Sequence, residues 1–113
     1  MNAVITTTAK YVPERTLTNF DLEKMVDTSD EWIQSRTGIK ERRLVEKGQA
    51  TSDLATHIAN QLLIKSGKSA LDIEVIIIAT STPDMLVVST AALVQNKIGA
   101  TNAWGFDLTG ACT

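Results

Sequence analysis

An almost unbroken apolar run at residues 73–79, with Glu74 as its one polar member, is the feature that most constrains the fold of this chain. Such a run is typical of a central strand in a parallel sheet, covered on both faces. A helical pattern follows at residues 91–98 and ends at Gly99, and another strand is predicted at residues 103–108. Strand, helix and strand in this order predict a βαβ unit. An α/β fold is therefore expected, with its ligand-binding edge at the carboxyl ends of the strands.

Shorter elements are predicted near the beginning of the chain. The β-branched residues of segment 3–8 favour a first strand. Asn19 is expected to cap a short helix. A second short helix is expected to begin at Ser29 or Asp30 and to stop near Gly38, where a glycine can end it.

The longest helix is predicted between a cap at Thr51 or Ser52 and a glycine stop at Gly67. Its apolar residues recur every four positions: Leu54, Ile58 and Leu62. The charged stretch 40–43, which precedes this helix, is predicted to be a loop or an edge strand.

Composition excludes several classes of protein. Hydrophobic residues make up 43% of the chain and the net charge is −2, so there is no electrostatic basis for binding nucleic acid or an anionic membrane. No apolar run is long enough to span a bilayer. A lone cysteine cannot form an internal disulfide, which favours a cytoplasmic protein. The 113 residues show no obvious linker, and residues 1–113 are taken as one piece of a domain.

Cys112 is the only cysteine, and it follows the last predicted strand after the small residues Thr109-Gly110-Ala111. A thiol at a strand tip can be held in place and exposed. A helix beginning there would favour the thiolate, as a covalent nucleophile requires. The alternative is a small buried hydrophobic residue, the commoner role of a free cysteine. Placement alone favours this alternative.

His57, the only histidine, is not expected to act as a base for Cys112. On its helix it shares a mostly polar face with Asp53 and Asn60, which predicts a solvent-facing side chain. One cysteine and one histidine are too few for a zinc site, so no metal is expected. The glycines form no phosphate-binding loop, and the nucleophile elbow of a serine hydrolase is missing.

Trp32 and Arg36 are four residues apart and would share one face of a helix. An indole beside cations could stack an adenine ring while Lys40, Arg42 and Arg43 contact phosphates. The alternative is a tryptophan that packs a short helix beside a solvated basic loop. Spacing alone favours packing.

Several segments occur together in a characteristic order. They are 11–14 and 17–19, then 27–33 with its Asp-Thr-Ser-Asp-Glu-Trp-Ile sequence, then 36–43, 77–83 and 106–112. This ordered set covers essentially the whole chain and resembles the β-ketoacyl-[acyl carrier protein] synthase III family. The resemblance favours the functional interpretation of both Cys112 and Trp32.

The resemblance implies a thiolase-like layered fold, built from two similar five-stranded α/β halves. This chain resembles the N-terminal part of the first half only. Cys112 is then implied to be the acyl-accepting nucleophile at the amino end of a buried helix. The family's catalytic histidine and asparagine come from its second half, so activity would need residues beyond Thr113.

The implied reaction initiates fatty-acid synthesis. An acyl group passes from acyl-CoA to Cys112, and the carbanion formed by decarboxylation of malonyl-[acyl carrier protein] attacks that thioester. Trp32 is implied to stack the CoA adenine, with Thr28, Arg36 and Thr37 near the nucleotide. The family is a homodimer and uses no cofactor apart from the CoA thioester, which is a substrate.

Some positions depart from the family pattern. Thr7 and Ala9 stand where glycines are usual, and Val87 and Val88 replace a common aromatic-proline pair. Position 87 is implied to reach the acyl pocket of the partner subunit, so the smaller valine predicts a primer longer than acetyl. Other possibilities are a condensing enzyme like hydroxymethylglutaryl-CoA synthase, a secondary-metabolite ketosynthase, or a non-catalytic assembly partner.

Overall fold

The fold comes from a computed structural model that describes residues 3–110. The chain divides into two compact units. The small unit is Val12–Gly48, and the βαβ unit combines Met1–Tyr11 with Gln49–Thr113.

The βαβ unit contains the predicted strand, helix and strand. Strand β3 (Val75–Ala79) pairs in parallel with β4 (Trp104–Leu108), and α4 (Thr90–Ile98) connects them and packs on both. Helix α3 (Thr51–Ser66) packs on α4, and a 3-10 turn (Ala70–Asp72) leads into β3. The predicted α/β organisation is therefore confirmed.

Small side chains bring α4 close to the sheet. Ala91, Val94 and Ala100 are almost fully buried. Gly105 lies where a Cβ atom would come within 2.7 Å of the Ile76 carbonyl oxygen and 3.0 Å of the Ala91 Cβ. A glycine at this point is what lets the helix and the sheet approach each other.

One face of the sheet is open, which corrects the prediction of a strand covered on both faces. Val75 and Ile77 on β3 are 39% and 56% exposed. Their neighbours Trp104, Phe106 and Leu108 on β4 point to the same side and are also exposed. Within residues 3–110 the helix packed on these strands is α4, so alternate residues remain uncovered.

The first predicted strand is wrong. Residues 3–8 are in no strand, and the side chains of Val4 and Ile5 are 76% and 86% exposed. β-Branched residues favour an extended chain, but a strand also needs a neighbouring strand to receive its hydrogen bonds. Within the described chain, β3 and β4 pair with each other and not with this segment.

The predicted cap of α3 is also wrong. Ala50 caps α3 in place of Thr51 or Ser52, and the Asp53 carboxylate accepts the Ala50 N–H at 2.8 Å. Asp53 thereby satisfies the end of the helix from inside its first turn, so a polar residue at the cap itself is unnecessary. The predicted glycine stops at Gly38, Gly67 and Gly99 are confirmed, all three in the left-handed conformation.

The small unit contains two short helices and an antiparallel pair of short strands. Strand β1 (Thr16–Thr18) pairs antiparallel with β2 (Glu41–Arg43), which confirms the edge-strand alternative for that stretch. Helix α1 (Asn19–Glu23) is capped by Thr18, not by Asn19, whose side chain is buried and bonded elsewhere. Helix α2 (Asp30–Thr37) begins after Ser29, as predicted.

Candidate functional site

Helix α2 presents Trp32 to solvent. The Ser29 hydroxyl accepts the Trp32 N–H at 3.1 Å and caps the helix, while Ile33 is the residue that α2 buries. Trp32 lies on a different face of the helix from Ile33 and is 57% exposed. A side chain so exposed is available to stack on a planar group.

A cavity of about 340 Å³ lies beside this indole. It is lined by Asp27, Thr28, Ser29 and Trp32. The structure thus brings together the predicted pair Thr28 and Trp32. Asp27 and Ser29 were not predicted to line a binding site, although both lie in the 27–33 motif and flank Thr28.

Arg36 and Thr37 lie in the last turn of α2, and both are exposed. Within residues 3–110 the Arg36 guanidinium has no hydrogen-bond or ion-pair partner, so its donors are available to an anion. The Thr37 hydroxyl is already engaged, since it donates to the Ile33 carbonyl at 2.8 Å and accepts the Ile39 N–H at 3.1 Å. Thr37 therefore shapes the end of the helix and has little hydrogen-bonding capacity left for a ligand.

The basic residues after α2 divide into two kinds, which the sequence did not reveal. Arg42 donates to the Asn19 side chain, and Arg43 donates to the backbone carbonyls of Pro13 and Glu14. These two arginines hold the small unit together. Lys40 remains exposed.

Val87 lies in the loop after β3 and is 95% exposed. The loop is anchored through Asp84, whose carboxylate accepts the Ser52 N–H at 2.8 Å and the Ser52 hydroxyl. Lys97 donates to the same hydroxyl and forms an ion pair with Asp53 at 2.6 Å. The lysine and the Ala50 N–H together hold the pKa of Asp53 below its usual value.

Cys112 lies outside the described residues. Strand β4, which leads toward it, is tied to α4 by Asp107, whose carboxylate accepts the N–H groups of Thr90 and Ala91 at 2.6 and 2.8 Å. Burial alone would raise the pKa of Asp107, but these hydrogen bonds outweigh burial and lower it. The end of β4 and the beginning of α4 are therefore held together by a carboxylate.

His57 is exposed, as predicted, and its ring stacks on Tyr11 with centroids 4.4 Å apart.

Among residues 3–110 no group of three or more histidine, cysteine, aspartate or glutamate side chains is arranged to hold a metal ion. In the same part of the chain, every helix is too short or too polar to cross a membrane.

Comparison with known proteins identifies close relatives, although no family model matches the chain. The sequence is 59% identical to the β-ketoacyl-[acyl-carrier-protein] synthase III of Chlorobaculum tepidum, over all of this chain and 35% of that protein. It is 55% identical to the protein of the same name from Koribacter versatilis, over 98% of this chain and 33% of that protein. The chain spans about a third of the length of these curated relatives.

Solved structures agree with the sequence relatives. The 3-oxoacyl-[acyl-carrier-protein] synthase III of Aquifex aeolicus superposes with a TM-score of 0.82 at 46% identity, over 88% of this chain and 32% of that one. The priming β-ketosynthase of a polyketide biosynthetic pathway also gives 0.82, at 28% identity, over 88% of this chain and 30% of that one.

The fold is accordingly that of the N-terminal part of a thiolase-like protein, as the resemblance implied. Within this class, the chain is similar to the N-terminal third of β-ketoacyl-[acyl-carrier-protein] synthase III proteins.

Proposed function

We propose that this chain is the N-terminal part of an acyltransferase that condenses an acyl-CoA primer with malonyl-[acyl carrier protein] and so initiates fatty-acid synthesis. The observation that carries the proposal is the 59% identity, over the whole chain, to a β-ketoacyl-[acyl-carrier-protein] synthase III. The alignment with this relative covers the whole chain and so includes the segment that ends in the lone cysteine.

Cys112 is the proposed nucleophile. Its thiolate attacks the carbonyl carbon of the acyl-CoA thioester, CoA leaves as the thiol, and the acyl group remains on the Cys112 sulfur. Decarboxylation of malonyl-[acyl carrier protein] then provides the carbanion that attacks this new thioester, forming a carbon–carbon bond and releasing Cys112. The second stage requires groups beyond those in this chain.

The cavity beside Trp32 is the proposed binding site for the nucleotide part of CoA. The exposed indole can stack on adenine, Thr28 lines the same cavity, and the unpartnered Arg36 guanidinium can meet a phosphate. Thr37 contributes through the shape of the helix end, because its hydroxyl is occupied. Val87, at an exposed loop tip, is proposed to line the acyl pocket.

The same proposal includes a cytoplasmic homodimer that needs no metal and no cofactor beyond its substrates. It is supported by the family assignment and, for the CoA substrate, by the residues around the cavity.

Intact-mass spectrometry of the complete protein after incubation with acyl-CoA tests the proposal. We expect the mass of one acyl group to appear on the wild-type protein, to be absent from Cys112→Ala and to remain in the matched control His57→Ala. Acylation of Cys112→Ala to the wild-type extent would refute the assignment of the nucleophile.

A secondary-metabolite ketosynthase is the second candidate, favoured by the TM-score of 0.82 to a polyketide priming enzyme. Both candidates form an acyl-cysteine, so products must separate them. The fatty-acid-initiating enzyme uses the carrier protein of fatty-acid synthesis and releases a short β-ketoacyl-[acyl carrier protein]. The polyketide enzyme requires the carrier protein of a polyketide pathway.

Turnover of acetyl-CoA and of six- to ten-carbon acyl-CoAs by the same protein tests the longer primer predicted from Val87.

A further inference from the structure

The side chain of Asn19 is fully buried although it is an amide. Its nitrogen Nδ2 donates to Asp30 Oδ1 at 2.8 Å and to the Ile39 carbonyl at 2.7 Å, and its oxygen Oδ1 accepts from the Arg42 guanidinium. Both donors and the acceptor are therefore used. A buried amide with all of these groups satisfied fixes its neighbours in one arrangement.

These bonds reach both ends of α2. Asp30 is the first residue of the helix, and Ile39 follows Gly38, the residue that ends it. The backbone N–H of Asn19 also donates to the Lys40 carbonyl at 3.1 Å. One side chain from α1 thus holds the beginning of α2 and the chain that leaves it.

Asp30 extends this connection into the helix. Its second oxygen, Oδ2, accepts from Gln34 Nε2 at 2.6 Å, and its backbone N–H donates to Glu23 at 2.6 Å. Ile33 is the one buried hydrophobic residue of α2, so apolar packing gives the helix little orientation of its own.

We propose that Asn19 is a positioning residue that sets the affinity for the nucleotide part of CoA by fixing α2. Trp32 and Arg36 are carried by α2, and Asp27, Thr28 and Ser29 directly precede it. A shift of the helix therefore alters the cavity beside Trp32. This inference rests on the proposed function, because it assigns Asn19 a role in binding the CoA substrate.

An amide is needed at this position for a chemical reason. Aspartate has nearly the same shape but no N–H groups, and it would place a second carboxylate against Asp30. Alanine removes both donors and the acceptor. Asn19→Asp and Asn19→Ala are therefore expected to release α2, the first by repulsion and the second by leaving its partners unpaired.

The test compares two acyl donors with the complete protein. Acyl-CoA carries the nucleotide, and acyl-pantetheine delivers the same acyl thioester without it. For Asn19→Ala and Asn19→Asp we expect the KM of self-acylation by acyl-CoA to rise about tenfold with little change in the maximal rate, the pattern of lost uniform binding. The KM for acyl-pantetheine should change less than about twofold.

Thr18→Ala is the matched control. It removes the cap of α1 in the same small unit but touches no residue of α2, so both KM values should stay near those of wild type. If Asn19→Ala does not fold, Asn19→Asp, which keeps the volume and the acceptor for Arg42, gives the same comparison.

Three outcomes are informative. A rise confined to acyl-CoA supports the role of Asn19. If the Asn19 variants raise the KM for both donors equally, the role of Asn19 is overturned. A rise in the KM for acyl-CoA in Thr18→Ala as large as that in Asn19→Ala would also overturn it, because the effect would then be general destabilisation. If wild type is acylated by neither donor, the proposed function itself fails, and the role of Asn19 fails with it.

Discussion

Each of the two units of this chain is stabilised internally by a different kind of interaction. The βαβ unit packs α4 on a parallel pair of strands through small apolar residues such as Ala91 and Val94. The small unit buries few apolar side chains, Ile33 and Pro13, and is centred on the hydrogen bonds of Asn19. Apolar packing tolerates many sequences of suitable volume, whereas a buried polar group requires particular partners.

This difference matters for function. The proposed nucleotide site lies in the unit whose geometry depends on directional bonds, and α2 buries Ile33 but leaves the larger side chain of Trp32 exposed beside that site. In the βαβ unit, small apolar residues bring α4 onto the sheet, and the Asp107 carboxylate holds the end of β4 to the beginning of α4.

The largest expected effect tests apolar packing in the βαβ unit. Gly105→Ala would place a Cβ atom 2.7 Å from the Ile76 carbonyl oxygen, a backbone atom that cannot move aside easily. We expect the free energy of unfolding of the complete protein to fall by about 3 kcal/mol, measured by urea denaturation. Thr101→Ala, an exposed turn residue before β4, is the control and should change it by less than about 0.5 kcal/mol. A neutral Gly105→Ala would show that α4 is not held tightly against the sheet.

A smaller effect is expected from removing the polar centre of the small unit. Asn19→Ala leaves Asp30 and Arg42 each without one buried partner, and we expect a loss of about 2 kcal/mol. A double-mutant cycle with Asp30→Ala measures how much of this loss belongs to the bond between the two residues. Strictly additive losses would contradict the description of Asn19 and Asp30 as one network.

The smallest effect concerns the dependence of stability on pH. The pKa of Asp107 is below its usual value of 3.8 in the folded protein, although burial acts against this, because Thr90 and Ala91 donate to its carboxylate. Its contribution to stability is therefore fully present above the unfolded pKa and is lost as pH falls through the folded one. Asp107→Asn should be less stable than wild type at neutral pH, with a difference that shrinks in acid.

Asp21 provides the matching comparison in the small unit. The Thr18 hydroxyl and the Thr18 N–H lower the pKa of Asp21, so Asp21→Asn should shift the acid dependence with the same sign. Urea denaturation across the acid range checks both variants. A difference between Asp107→Asn and wild type that grows in acid would mean that the carboxylate is not stabilised in the folded state.

Much of the fold could be predicted from local signals. Helices α2, α3 and α4 end at Gly38, Gly67 and Gly99, because each glycine adopts the left-handed conformation that commonly terminates a helix. The βαβ order followed from the periodicity of its apolar residues, and the exposure of His57 followed from its position on a polar helix face. The same reasoning identified Thr28 and Trp32 as candidates only together with the family resemblance.

Other features depend on contacts between residues far apart in sequence, and no local pattern reports them. Segment 3–8 has the composition of a strand but no partner strand among the described residues. Asn19 is a residue type that often caps helices, yet its side chain is buried in the small unit and bonded to Asp30, Ile39 and Arg42. Ser52 reads as a cap of α3, but its hydroxyl and N–H are bonded to Asp84 across 32 positions.

The sequence by itself determined the βαβ order, the glycines that end α2, α3 and α4, and which proteins the chain resembles, because periodicity, helix stops and ordered motifs are local properties. Tertiary structure alone decided which polar side chains are buried and which face of the sheet is open. It also decided that Arg42 and Arg43 are bonded within the small unit, while Arg36 has no partner among residues 3–110. These features depend on which residues lie close together in the folded chain, because a hydrogen bond or a packing contact requires proximity in space and not along the sequence.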